Sequence, residues 1–182
     1  MKITIISSST RIGRLSHRIA LALEKQIAQL GHQAQLIDLL ELELPRFSER
    51  YTHIEDRPKS WEDTMDTLLG SDGFIFVTPE YNGSFSSGMK NFIDVFAKKP
   101  FRGKPIGVAT GSDGAKGGIR AAYQLQQVIL SLSAYPQPRM LTVGKMGHKF
   151  DETGDFTDQD FRPKFENFVN TFLEFCAKFT GD

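Results

Sequence analysis

The chain has 182 residues, of which 40% are hydrophobic and 24% are charged. A chain of this size and composition can fill the core of one ordinary domain, which excludes a disordered tail, a fibrous repeat and a disulfide-stapled mini-protein. Lys and Arg together number 22, as do Asp and Glu, and the resulting net charge of zero argues against nucleic acid as the main partner.

The sequence also limits where the protein works. No apolar run approaches the roughly 20 residues that a membrane-spanning helix needs, so we expect no membrane partner. The apolar residues 3–6 are followed at once by three serines, which is not the pattern of a secretory signal. The single cysteine, Cys176, allows no internal disulfide and no cysteine-based zinc site, and the four histidines are too dispersed to suggest a metal site. We therefore expect a cytoplasmic protein.

Apolar stretches of two kinds alternate along the chain. Short runs rich in β-branched and aromatic residues predict five strands, at residues 2–6, 32–39, 73–78, 104–110 and 139–143. Apolar residues spaced by three and four predict helices at residues 15–30, 61–69 and 119–132, and one that Ser84 or Ser86 caps and that runs to about residue 98. Residues 41–58 contain prolines and many charges, and we predict a long loop there.

Six phenylalanines near the end of the chain are spaced by four and three residues. They are Phe161, Phe165, Phe168, Phe172, Phe175 and Phe179. This spacing is typical of one face of an amphipathic helix that packs on a core. The same spacing also occurs in seams between subunits, so that second interpretation stays open.

The alternation of strands and helices predicts the fold. It is typical of an α/β sandwich, because each right-handed crossover places a helix on one face of a parallel sheet. We expect a three-layer sandwich with a five-stranded parallel sheet in the order 2-1-3-4-5, built as a single domain over residues 1–182. In such folds ligands bind at the carboxyl ends of the strands, where the strand order reverses. The loops after strands one, three and four are therefore the candidate site.

The loop after strand one, residues 7–17, is rich in hydroxyl side chains and leads into a helix. Backbone N–H groups at a helix N-terminus attract anions. No acidic residue precedes Glu24, whereas Arg11 and Arg14 lie in the loop and can form two-pronged bonds to a phosphate. The loop lacks the Walker pattern, the dinucleotide-binding glycine pattern and the cysteine of a phosphatase loop. It predicts a phosphate site, with a purely polar connection as the alternative.

The loops after strands three and four have features that suit a flat ligand. The first is Pro79-Glu80-Tyr81-Asn82-Gly83-Ser84, in which the tyrosine offers a flat face and the asparagine an amide. An ordinary turn explains this hexapeptide equally well. The second, residues 111–118, contains four glycines in eight residues, which lets the backbone approach a ligand closely.

Together these motifs resemble the NADPH-dependent FMN reductases, a flavodoxin-like family that includes azo-, chromate- and quinone-reducing flavoenzymes. The resemblance extends from residue 2 to about residue 138. It rests on four segments: Ser8-Ser9-Thr10-Arg11 with Ser16, Pro79-Glu80-Tyr81-Asn82-Gly83, Met89-Lys90-Asn91 with Asp94, and Gly103-Lys104-Pro105 before the glycine loop. Two positions depart from the family pattern, namely Ser8, where members often have glycine, and His17, where many have asparagine.

The resemblance implies that FMN is the cofactor and NADPH the electron donor. It places the FMN phosphate on Ser9, Arg11 and Ser16, with Arg14 and His17 as further contacts. It places the flavin ring against a second group of residues, Pro79, Glu80, Tyr81, Asn82 and Gly83. It closes the other side of the ring with a third group, Gly111, Ser112 and Gly114.

The reaction that the resemblance implies is hydride transfer from NADPH to FMN, followed by electron release to a quinone, a flavin, an azo compound or a metal oxyanion. Because the cofactor carries this chemistry, we expect no catalytic side chain and no metal, and we expect Glu80 to form a structural ion pair, with a subunit boundary as one possible place for it. A homodimer or homotetramer is also implied, with residues 86–98 in the interface. The alternatives are a non-enzymatic electron carrier or a flavin-binding sensor. The zero net charge counts against the carrier, since such carriers tend to be strongly acidic.

Overall fold

Parallel strands and helices alternate along the chain in the computed structural model, which describes residues 1–180. The strands are β1 (Lys2–Ser7), β2 (Gln33–Asp38), β3 (Gly73–Pro79), β4 (Pro105–Ser112), β5 (Tyr135–Pro136) and β6 (Leu141–Gly144). The α-helices are α1 (Ser16–Gln29), α2 (Lys59–Leu69), α3 (Ser87–Phe96), α4 (Ile119–Ser131) and α5 (Arg162–Ala177). Of the two candidate caps of α3, Ser86 is the one that the structure uses, because its hydroxyl accepts a hydrogen bond from the Met89 N–H.

The strand order is β2-β1-β3-β4-β5, and every pair is parallel, as predicted. The register pairs Ile5 of β1 with Leu36 on one side and with Ile75 on the other. The sheet differs from the prediction at its edge. The predicted fifth strand, residues 139–143, corresponds to β6, and a short strand that was not predicted, β5, precedes it; both pair with β4, so the sheet has six strands. Residues 137–140 lie opposite only residues 107–108 of β4, and Pro138 in this stretch has no N–H to donate to the sheet.

Two hydrophobic clusters fill the space on the two faces of the sheet. Helices α1 and α5 cover one face, and α2, α3 and α4 cover the other, which gives the three layers that were predicted. Of the six regularly spaced phenylalanines near the end of the chain, the first four are buried, which confirms core packing for them. The last of the six, Phe179, is partly exposed and stacks on Tyr135, with ring centroids 4.6 Å apart.

The long loop between β2 and α2 is confirmed, and α3 anchors it. The Asn91 side chain donates to the Pro45 carbonyl at 2.8 Å and accepts from the Phe47 N–H at 2.7 Å. The ring of Tyr51, which begins a short 3-10 turn, stacks on Phe96 with centroids 5.6 Å apart. Asn91 therefore has a structural role, because it fixes a loop at the carboxyl edge of the sheet.

No helix within residues 1–180 is both long and apolar enough to cross a membrane. The cysteine lies in α5 and is fully buried against β3, where a Cβ on Gly73 would come within 2.8 Å of the Cys176 Sγ. Burial raises the pKa of the Cys176 thiol to about 12, and the negative charge of Asp72 adds to this shift.

We predict that Cys176 does not react in the folded protein. The thiolate is the reactive form, and a buried thiol with so high a pKa is neither ionised nor reachable at pH 8. Incubation with Ellman's reagent should release no thionitrobenzoate from the native protein and one equivalent in denaturing urea. Rapid release of a full equivalent from the native protein would contradict the burial of this side chain.

Candidate functional site

The three predicted loops lie side by side at the carboxyl edge of the sheet. Loop 1, residues 8–15, connects β1 to α1. Its Ser9 hydroxyl is 2.8 Å from the Tyr81 hydroxyl in the loop after β3. The Glu80 N–H in turn donates to the Gly111 carbonyl at the end of β4, at 3.0 Å. One continuous surface therefore contains all three loops.

The start of α3 is held against loop 1. The hydroxyls of Ser8 and Ser86 are 2.8 Å apart, and the Ser86 hydroxyl also reaches the Ser8 carbonyl at 3.1 Å. A Cβ at Gly88 would lie 2.6 Å from the same carbonyl oxygen, so no larger residue fits there without a backbone shift. Loop 1 is thus in direct contact with the helix that follows β3.

Loop 1 and the start of α1 present unused hydrogen-bond donors. Within residues 1–180, the N–H groups of Ser9, Thr10, Arg11, Ser16 and His17 have no backbone acceptor. Among the side chains that the structure describes, none caps the N-terminus of α1. Free N–H groups at a helix start carry partial positive charge and bind anions. This part of the site is therefore suited to a phosphate group.

A cavity of about 160 Å³ opens above these donors. It is lined by residues from all three predicted loops, namely Ser9, Arg11, Arg14, Ser16, Pro79, Tyr81 and Asp113 among others. Ser9 and Ser16 are almost fully buried, whereas Ile12 at the tip of loop 1 is fully exposed. The Arg11 guanidinium lies over the Tyr81 ring, 5.5 Å from its centroid. The cavity thus combines two arginines, two serines, a flat aromatic ring and one carboxylate, that of Asp113.

The hexapeptide after β3 forms a tight turn. Tyr81 and Ser84 exchange two backbone hydrogen bonds, of 2.8 and 3.1 Å, around Asn82 and Gly83. Both central residues have positive φ, 51° and 83°, which identifies a type I′ turn, and Asn-Gly is the dipeptide that this turn prefers. Asn82 and Gly83 thus form a tight turn, and this turn fixes where Tyr81 lies.

Glu80 has a structural partner within the chain. Its carboxylate accepts from the backbone N–H groups of Arg120 and Ala121 at 3.1 and 3.3 Å, and from the Arg120 guanidinium at 2.8 and 3.1 Å. Its side chain is only 10% exposed. The predicted structural ion pair of Glu80 is confirmed. It caps α4, so the carboxylate is not free for a ligand.

The glycine loop after β4 lines a second cavity, of about 420 Å³. Ser112 and Gly114 face this cavity together with Lys116. Gly111 does not line it. A Cβ at Gly111 would lie 2.7 Å from the Met146 Sδ, so close packing accounts for this glycine.

Arg14 and His17 both lie next to Asp38, a residue at the end of β2 that the sequence analysis missed. The Arg14 guanidinium forms a two-pronged ion pair with the Asp38 carboxylate and also donates to the Ser9 carbonyl at 3.1 Å. His17 Nδ1 is 2.9 Å from the Ser7 hydroxyl and 3.7 Å from the Asp38 carboxylate. The only signal for Asp38 in the sequence is its place near the end of a predicted strand, at the edge where the arginine-bearing loop was expected.

The surroundings shift the pKa of both titratable groups. Burial and the Arg14 charge lower the pKa of His17, although the carboxylates of Asp38 and Glu41 oppose this. Burial alone would raise the pKa of Asp38, but hydrogen bonds from Arg14 and the Leu40 N–H, with the charges of Arg14 and His17, lower it. At neutral pH the site therefore contains a neutral imidazole and an ionised carboxylate.

Solved structures of similar fold define the class. The flavoenzyme NAD(P)H:(acceptor) oxidoreductase FerB from Paracoccus denitrificans superposes with a TM-score of 0.80, at 23% identity and over 98% of each chain. A flavodoxin from the Archaea superposes with a TM-score of 0.61, at 12% identity and over the full length of both chains. With the strand order described above, these similarities show that the fold is flavodoxin-like.

Sequence comparisons identify the family. The sequence model of a family described as NADPH-dependent FMN reductase matches residues 1–148. The quinone reductase of Escherichia coli is 29% identical over 184 residues, covering 98% of this chain and 96% of the relative. An FMN-dependent NADPH-azoreductase from Staphylococcus aureus is 25% identical, covering 96% and 95%. The chain belongs to the NADPH-dependent FMN reductase family, and it is an oxidoreductase that depends on NAD(P)H and FMN.

We predict that His17 makes the protein less stable in mild acid. The unfolded chain binds a proton at His17 below about pH 6.5, whereas the folded protein, with its lowered pKa, binds it only at lower pH. The free energy of unfolding should therefore fall as the pH drops from 7.5 to 5.5, and it should fall less in His17→Asn. Asp38 does not titrate in this window, because its pKa is lowered from an already acidic value. Urea unfolding at the two pH values measures this, and equal losses in both proteins would count against it.

Proposed function

We propose that the protein holds FMN at the carboxyl edge of its sheet, with the phosphate on loop 1, and uses NADPH to reduce a small acceptor of the quinone type. The observation that carries the phosphate assignment is the group of unused N–H donors at loop 1 and the uncapped start of α1. The NADPH and FMN dependence comes from the family. The positions of the individual contacts are our proposal.

The donors at loop 1 fit a phosphate. A phosphate monoester carries up to two negative charges and several acceptor oxygens, and loop 1 with the start of α1 offers free N–H groups, hydroxyls and a guanidinium to bind them. Ser9 and Ser16 are almost fully buried and line the cavity with the Arg11 guanidinium. Charge-assisted hydrogen bonds of this kind are shorter and stronger than neutral ones. We assign these three side chains and the loop amides to the FMN phosphate.

The other two loops fit the flavin ring. Tyr81 is fixed by its turn and by the Ser9 hydroxyl, which gives a flat surface at the mouth of the phosphate cavity. Ser112 and Gly114 line the second cavity together with Glu80. Bound flavin would supply the redox chemistry, receiving a hydride and passing electrons on. The chain's own residues bind and orient it, and the Glu80 carboxylate is fully occupied as a helix cap.

A quinone is the acceptor that we favour, because relatives from Escherichia coli and Pseudomonas putida are named quinone reductase. An azo compound is the second candidate, on the strength of the Staphylococcus aureus relative. Both acceptors are planar and suit a flat, open binding surface. A carrier or sensor without turnover remains the alternative from another class of function.

Assembly and location stay predictions. The α3 residues Phe92, Ile93 and Phe96 are buried in the protein's own core, so they do not support an interface on that helix. Exposed apolar side chains lie instead on α4, where Tyr123 and Leu130 are 60% and 62% exposed and seven residues apart on one helix face. We propose a homodimer or homotetramer that covers this face, in the cytoplasm. Size-exclusion chromatography with light scattering tests the oligomeric state. Cell fractionation tests the location.

Arg11→Ala should weaken FMN binding by about 1.5–3 kcal/mol, the usual contribution of a charge-assisted hydrogen bond. Riboflavin, which has no phosphate, should bind equally well to both proteins. Arg102→Ala is the matched control, because Arg102 is an exposed arginine near the opposite end of β4. Fluorescence titration with each flavin measures the affinities. An unchanged FMN affinity in Arg11→Ala would remove this residue from the phosphate site.

Anaerobic titration of the FMN-loaded protein with NADPH tests the activity itself. We expect the visible absorption band of the flavin to bleach at a rate compatible with turnover, and to recover when a quinone is added. If FMN binds but NADPH leaves it oxidised, the carrier or sensor alternative is favoured. Recovery with an azo dye but not with a quinone would shift the acceptor class.

A further inference from the structure

We propose that Asp38 is a positioning residue for the flavin phosphate. It holds the Arg14 guanidinium against the Ser9 carbonyl and so keeps loop 1 in the shape that presents its N–H donors. This inference rests on the proposed function and deepens it, because it identifies what shapes the phosphate site. It also reassigns Arg14 from phosphate ligand to a brace of the loop.

The brace, formed by Arg14 and Asp38, connects loop 1 to the end of β2. Arg14 uses both terminal nitrogens on the Asp38 carboxylate, and one of them also donates to the Ser9 carbonyl at 3.1 Å. One side chain thus spans the loop from Arg14 back to Ser9, a residue that lines the cavity. Such a two-pronged arginine pair fixes direction as well as distance.

Asp38 is itself firmly placed. It pairs with Ser7 in the register between β1 and β2, and its carboxylate accepts from the Leu40 N–H at 3.0 Å. The side chains of Arg14 and Asp38 are 13% and 14% exposed. A pair that is largely removed from water interacts more strongly than an exposed one, and leaving either partner alone is costly. The brace is therefore a rigid element of the site.

As a result, the charges of Arg11 and Arg14 are not equally available to a ligand. Among residues 1–180, Arg14 has a carboxylate within 4 Å, whereas Arg11 has none. Arg11 is exposed and lies beside the cavity over Tyr81, so its charge is available to an incoming anion. Asp38 largely cancels the charge of Arg14. The site therefore attracts phosphate through Arg11 and the loop amides, and depends on Arg14 for shape.

The test compares FMN with riboflavin in the full-length, flavin-free protein. Asp38→Asn keeps the size of the side chain and its bond from Leu40, but removes the charge that holds Arg14. We expect it to weaken FMN binding about tenfold, since loop side chains must then be ordered on binding, and to leave riboflavin binding within about twofold. Arg14→Gln should have the same effect, and the double variant should be no weaker than either single one, because the pair acts as a unit.

Two further variants complete the design. Arg14→Lys retains the positive charge but cannot span Asp38 and Ser9, so we expect it to behave like Arg14→Gln. This variant also carries the test if Asp38→Asn does not fold. Asp94→Asn is the matched control, because it breaks an ion pair with Lys90 on α3 that does not touch loop 1. It should bind both flavins as the wild type does.

The outcomes separate the inference from the proposed function. If the wild type prefers FMN and Asp38→Asn or Arg14→Lys binds FMN as tightly, Asp38 does not position the loop and the inference is wrong. An equal loss of FMN and riboflavin affinity, with a lower melting temperature, would show a role in folding only and would also overturn it. If the wild type does not distinguish the two flavins, the phosphate site itself is wrong, and the inference falls with it.

Discussion

The hydrogen bonds between Ser8 and Ser86 join the loop after β1 to the first turn of α3, and the rest of the candidate site is arranged around this contact. Parallel pairing brings the ends of β1 and β3 together, but only a residue without a side chain at position 88 allows the helix to approach so closely. The approach places the Tyr81 turn over Ser9. A ligand between the two loops therefore meets a surface that is fixed by backbone packing.

Two of the helices that begin at this edge of the sheet, α1 and α4, differ in how their first N–H groups are satisfied. Helix α4 receives the protein's own carboxylate, Glu80, on its first N–H groups and on Arg120. Helix α1 has no side-chain cap, and its first N–H groups lie beside the cavity. Because both helix starts would attract an anion, filling one internally leaves the other as the favoured position. The start of α1 is thus the helix terminus that suits the phosphate position we propose, on a chain with no net charge.

The sequence predicts the sheet and its helices well, because buried parallel strands are short apolar runs and each helix shows its apolar face. The positions of the loops follow, since the strand order decides which ends meet. The short strand β5 escapes prediction, because its two residues show no pattern of their own and are defined only by their pairing with β4. The partners Asp38 for Arg14 and Arg120 for Glu80 escape for a related reason. They are 24 and 40 residues apart, and no local pattern joins them.

The burial of the lone cysteine has a practical consequence for watching ligands arrive. A thiol introduced at an exposed position would be the one that a fluorescent dye can reach, without any need to remove Cys176 from the core. Ile12, fully exposed at the tip of loop 1, is such a position and adjoins the cavity. A dye there would lie within energy-transfer distance of a bound chromophore, so the time course of binding could be followed in single molecules.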